Sequence, residues 1–244
     1  HLFGPIKLEI FDAHGKLVDT ISATKRRGIN RVSWSMRVKP PRVPRAAQIA
    51  SSASQGPRVP PGVYTARLTR GGQAIETKLE VAVDRRAPYG AAERREQFEA
   101  AMAAHALFGD MSALMDRIES ARSAALQRAG ALPEADALRK RLQAAADRLE
   151  EVRKKIVATK EGGAITGEER LREHLDTVYG AILGWEGRPA RYQVERVRVL
   201  KRELADVQSE FERLVSSELA PLNQELRQRS LEPIPGGTKG GGSE

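Results

Sequence analysis

Cysteine is absent from the 244 residues. That excludes disulfides, thiolate metal sites and a cysteine nucleophile. Aromatic residues are scarce, with two Trp, four Tyr and five Phe, so a base-stacking surface has little to be built from. No apolar run approaches the roughly 18 residues that a membrane span needs. Histidine is equally sparse: His1, His14, His105 and His174, none at metal-ligand spacing from another. His105, on the apolar stripe of a helix, is expected to be packed and hydrogen-bonded, His174 likewise, and His14 exposed in a turn. The chain opens on His1 with no charged-then-apolar leader after it. It is expected to be a mature or excised segment, with room for a secretory signal upstream.

What is present suffices for a folded core, since 40% of the residues are hydrophobic and 30% charged. The length is that of two domains. Charge is distributed unevenly. Residues 1–86 hold 16 Lys/Arg and 6 Asp/Glu, a net of +10, while residues 87–244 hold 25 and 26, a net of −1. The whole basic surplus therefore belongs to the first part, where it would attract anions or an acidic protein face.

The first part reads as strands. Ile6–Phe11 alternates apolar and polar, His14-Gly15 makes a turn, and Lys16–Ile21 returns as the second arm of a hairpin. Further strands are expected over Ile29–Met36, Val63–Leu68 and Ala74–Val83, the last two joined by Gly71-Gly72. Short strands separated by turns suggest a sandwich. Between the third and fourth lies a long connection, Arg37 to Pro61, without periodicity. Connections of that length are functional or disordered. Lys25, Arg26, Arg27, Arg37, Arg42, Arg45 and Arg58 are the candidate contacts to an anion or a partner.

From Ala91 the period becomes helical. A first helix is expected to about Ala129, with Phe98, Met102, His105, Phe108, Met111, Met115 and Ile118 on one stripe. Gly130 and Pro133 separate it from a second helix with the seam Leu138, Leu142, Ala145, Leu149, Val152 and Ile156. Gly162-Gly163 break that helix, and Thr166 with Glu169 reads as a capping box. The third helix carries Leu171, Leu175, Val178, Ile182 and Trp185. The fourth carries Val197, Leu200, Leu204, Val207, Phe211 and Leu214, with Pro221 expected to kink or interrupt its end. Short loops favour an antiparallel, up-down-up-down four-helix bundle in which the first and fourth helices project together. Three segments are thus expected: a β-sandwich over 1–86 with the long basic loop 37–61, a helical bundle over 87–232, and a flexible tail over 233–244, an α+β multidomain chain.

No catalytic constellation stands out. Glu150 with Lys154 and Glu151 with Lys155 read as solvated helix pairs contributing about 0.2–0.5 kcal/mol each. No pair of carboxylates marks a glycosidase cleft, and no phosphate loop, Gly-x-Ser-x-Gly elbow or cofactor motif appears. The expectation is a non-enzymatic module without cofactor or metal. Trp34 and Tyr64 are read as core.

Asn30–Arg37 and Pro60–Thr69, with the opening Leu8–Val18, resemble the Ig-like domain related to that of flagellar hook-capping proteins. In particular they are similar to the C-terminal region of bacterial sortilin-type, BNR-repeat β-propeller proteins, in which a propeller is followed by this domain and a helical tail. The resemblance covers roughly residues 5–90. It implies an Ig-like sandwich, export to the periplasm or beyond and an upstream propeller, with Trp34, Gly62 and Tyr64 as structural positions. Any hydrolase label would rest on the propeller. The function expected is a protein-interaction or scaffolding module, with a protein partner and self-association through the helices. A polyanion-binding module (nucleic acid, anionic polysaccharide or lipid) using the basic loop is the alternative, and an accessory domain of a glycoside hydrolase-like protein a third.

Overall fold

The computed structural model describes residues 6–22, 27–161 and 167–236. It places strands β1 (Ile6–Phe11), β2 (Leu17–Ile21), β3 (Gly62–Arg70) and β4 (Gln73–Val81) ahead of helices α1 (Ala91–Gly130), α2 (Ala137–Ile156), α3 (Leu171–Leu183), α4 (Arg191–Leu214) and α5 (Ala220–Gln228). A four-stranded antiparallel sheet followed by helices is the mixed architecture that the change of period predicts. The compact units do not divide at residue 86. One comprises residues 1–41, 51–106 and 178–195, the other 42–50, 107–177 and 196–244.

In the first unit the strand order is β2-β1-β3-β4. Asp12 builds the β1–β2 turn: its Oδ1 accepts the N–H groups of His14 and Lys16, each at 2.9 Å, while Gly15 takes φ +76°. Gly71 (φ +53°) and Gly72 (φ +84°) form the two-residue β3–β4 turn, in which both central residues need positive φ to match the strand twist. One sheet face buries Ile10 and Tyr64, and the layer over it consists of Trp34, Val38 and Val59 from irregular backbone. The expected third strand, Ile29–Met36, is absent. Ile29 is fully exposed, Met36 sits at φ +57°, and pairing shrinks to a single bridge between Arg37 and Arg58. The described residues thus form one sheet, covered by loops where a sandwich would place a second sheet.

The Arg37–Pro61 connection is held firmly. Arg37 donates to the carbonyl of Gly56 at 2.9 Å; the Val38 N–H bonds Pro57 O at 3.0 Å and the Val59 N–H bonds Met36 O at 2.8 Å. A Cβ at Gly56 would lie 1.9 Å from Val38 O, so only glycine fits that crossing. Its central residues, 42–50, are held within the second unit. There the Ala47 N–H bonds Ala158 O at 3.2 Å, Gln48 donates to Glu168 O at 2.8 Å and Arg172 to Gln48 O at 2.6 Å.

Ion pairs give the helix register of the second unit. Lys155–Glu210, Arg148–Glu218 and Arg141–Glu225 step backward along α2 as they step forward along the fourth helix and its continuation, so these run antiparallel. Arg122–Glu150 and Arg117–Glu212 tie α1 to α2 and to α4. The seams of α2 and α4 are buried at every expected position. Into this unit α1 enters from Leu107, α2 whole, α3 through Leu171–Thr177 and α4 from Arg196. Thr166 lies outside the described residues. The Arg170 N–H at the start of α3 is taken by Glu173 instead, at 3.1 Å.

Pro221 interrupts the end of the fourth helix as expected: α4 stops at Leu214, Val215–Leu219 form a π turn, which absorbs the missing N–H, and α5 resumes from Ala220. One further expectation needs correction, because the tail is not free at its start. Ile234 is 2% exposed, and Asn223 holds its backbone on both sides, accepting from its N–H at 2.6 Å and donating to its carbonyl at 2.9 Å. Residues 237–244 of the tail lie outside the described residues.

Candidate functional site: an apolar cleft with a cationic rim

The first unit carries a cleft of about 730 Å³, between the β1–β2 turn, the segments around Val38 and Pro60, and the first turns of α1. Local chemistry positions each wall. The Asp12 carboxylate fixes the turn and presents Lys16. The Tyr64 hydroxyl donates to Pro60 O at 2.7 Å, locking the entry to β3, and burial raises the pKa of that phenol. The Trp34 ring tilts against Tyr64 at 5.3 Å between centroids, so the two resemblance motifs meet at Tyr64, which itself lines the cleft. His105 Nε2 bonds the Lys39 carbonyl at 3.0 Å, which fixes Lys39 at the mouth.

Val18, Val38, Val59, Tyr64, Phe98 and Met102 supply the apolar lining. Lys16, Lys39 and Arg95 supply positive charge at the edge, with His14 and His105 beside them. Asp12 is the only carboxylate among the lining residues, and one of its oxygens already accepts two backbone N–H groups. The volume falls in the usual range for ligand sites, about 300–1,000 Å³. This arrangement can bind an apolar group next to a negative charge.

The helical stripe hides this site in the sequence. Phe98, Met102 and His105 read as core, yet all three are half-buried, while Arg94, Gln97, Ala101 and Ala104 take the buried face of α1. Polar residues on that face explain the misreading. Arg94 donates to Gln97 at 2.7 Å and Gln97 to Ile182 O at 2.8 Å, so burial is satisfied by hydrogen bonds. Trp185 falls beyond the end of α3 and is 55% exposed; it packs edge-on against Tyr89 at 6.2 Å.

Of the five described residues in the basic contact set, three are committed to bonds within their own unit. Lys25 and Arg26 lie outside the described residues. Arg27 and Arg45 are exposed. Arg37 is spent on Gly56, and burial followed by the neighbouring Arg58 charge lowers its pKa. Arg42 pairs with Asp116 at 2.6 Å and Arg58 with Glu186. Glu186 also accepts from the Tyr89 hydroxyl at 2.8 Å, and that bond raises the tyrosine pKa. Arg27, Arg37 and Arg58 belong to the first unit, Arg42 and Arg45 to the second.

Among the described residues no cluster of three or more His, Asp or Glu side chains is placed to hold a metal, and no helix is long and apolar enough to cross a membrane. No family model, no curated protein and no solved structure matches the chain.

Proposed function

We propose that this chain is a non-enzymatic protein-interaction module, the C-terminal part of a larger exported β-propeller protein, and that the cleft is its contact site. The observation that carries the contact site is the pairing of an apolar lining with Lys16, Lys39 and Arg95 at the edge. That chemistry fits a segment of a partner protein carrying an apolar side chain flanked by carboxylates. The apolar group supplies affinity by burial; the rim charges steer the encounter and select against basic segments. The Ig-like assignment, the upstream propeller and the periplasmic or secreted location rest on the resemblance of Asn30–Arg37 and Pro60–Thr69, and the tilted Trp34–Tyr64 pair supports their role as structural positions.

The test is selection from a random peptide display library on the intact chain. Synthetic versions of the selected peptides are then titrated against Trp34 fluorescence in a Trp185→Phe background. Selected peptides should combine an apolar anchor with Asp or Glu, bind more weakly as salt rises, and lose binding to Phe98→Asp and Lys39→Glu. Peptides without acidic residues, or binding indifferent to both substitutions, would overturn the assignment.

A further inference from the structure

A second contact surface lies at the far side of the sheet. Strand β4 ends the order β2-β1-β3-β4, so among the described residues no strand pairs with its outer edge. Gln73 through Lys78 are all exposed, and Ile75 is 72% exposed. Native sheets seldom leave so long an edge bare, because its unpaired backbone groups invite another strand.

The register of the β3–β4 hairpin decides which groups are free. Arg70 faces Gln73 across a two-residue turn, so those two residues exchange backbone bonds. Alternation then directs the N–H and C=O of Ile75, Thr77 and Leu79 toward β3, and those of Ala74, Glu76, Lys78 and Glu80 outward. The sequence along this edge is complementary to itself when reversed about Thr77. An antiparallel second copy centred there sets Glu76 against Lys78 of its mate and Lys78 against Glu76. It also sets Ile75 against Leu79 and Thr77 against Thr77. The facing residues 76 and 78, and 74 and 80, are the ones with outward backbone groups, so both the hydrogen-bond parity and the side-chain pairs are met in one register.

From this we infer that two copies of the chain associate through β4, about a two-fold axis at Thr77, to form a continuous eight-stranded sheet. Such an interface is isologous and closed, which fits a dimer and no larger assembly. Arg67 already holds Glu76 through one carboxylate oxygen at 2.6 Å, and the other is left for Lys78 of the mate. Ile75, 72% exposed in the single chain, gains a cover. This places self-association on the sheet edge and not on the helices, and it is independent of the cleft.

The absence of cysteine makes the test direct. Across a non-hydrogen-bonded antiparallel pair the Cα atoms lie about 4.5 Å apart, within disulfide range. Thr77→Cys should therefore give a covalent dimer under mild oxidation. Ala74→Cys, about 20 Å from its own mate in this register, should stay monomeric on the same non-reducing gel. By sedimentation equilibrium the native chain should exceed its 26.8 kDa monomer mass twofold. Lys78→Glu should weaken the dimer about tenfold or more, since two opposite-charge pairs become like-charge pairs. Glu76→Lys combined with Lys78→Glu should restore it, because the swap regenerates both pairs; circular dichroism confirms that each variant is folded. A native chain monomeric at every concentration, or a dimer insensitive to Lys78→Glu, would overturn the interface. A folded double variant that stays monomeric, or equal cross-linking at 74 and 77, would overturn the register.

Discussion

Replacing Glu173 by alanine should be among the most costly single changes in the second unit. Its carboxylate accepts the Arg172 Nε–H at 2.7 Å, the Arg170 N–H at 3.1 Å and the Ala158 N–H at 3.2 Å. Arg172 is only 3% exposed, and its other bond goes to a neutral carbonyl, that of Gln48. Removal of the carboxylate leaves a guanidinium in the interior without a counter-charge, at a cost of about 3–5 kcal/mol. Against a total stability of about 5–15 kcal/mol, that is a large fraction. Glu173→Gln keeps the shape and one acceptor, so its loss should be smaller, about 1–3 kcal/mol. Urea unfolding followed by far-UV circular dichroism measures both, and a cycle with Arg172→Met isolates the pair. The two single losses should exceed the double by about 1–3 kcal/mol. A Glu173→Ala loss under about 1 kcal/mol, or strict additivity in the cycle, would refute a structural role for this ion pair.

Gly56→Ala puts a methyl group against Val38 O and Lys39 O. Overpacking of this kind costs about 1–3 kcal/mol, and faster hydrogen exchange at the Val38 and Val59 amides should accompany it. Ile234→Ala should destabilise by about 2–5 kcal/mol as a cavity in a full core, measured by urea midpoint; a neutral result would return residue 234 to a free tail. The Glu150 carboxylate lies below the usual 4.5, mainly through its hydrogen bonds from Arg153, with Arg122 and Lys154 adding to the effect. A folded pKa below the unfolded one means that its stabilisation is complete above pH 4.5 and is lost as pH falls through the lower folded value. The urea midpoint should accordingly fall in acid, less steeply in Glu150→Gln; identical acid slopes would remove this group from the explanation.

The hairpins and the α2 and α4 seams were legible in the sequence because their signals are local: a turn residue at a fixed offset, or apolar side chains at three-and-four steps. Residues 29–36 show where that logic fails. Their alternation is real, but a strand needs a partner, and the chain turns at Met36 to lay Trp34 and Val38 over the sheet. The ordering of 37–61 depends on Gly56 and on bonds to residues far along the chain, which no window of sequence contains. The cleft was missed for a related reason. Phe98 and Met102 follow the apolar period of α1, and only the hydrogen bonds of Arg94 and Gln97 reveal that the buried face is the neighbouring one. The docking of Ile234 by Asn223 likewise needs a tertiary partner.

The bond from Arg172 to Gln48 spans 124 residues, and this has a bearing on synthesis. At about 5–20 residues per second, the ribosome would deliver Arg172 roughly 6–25 s after Gln48. For most of that interval residues 42–50 have neither Ala158 nor Arg172 to bind, although the strands on either side of them can already pair. A newborn chain therefore carries a waiting segment, and its final closure follows the appearance of α3.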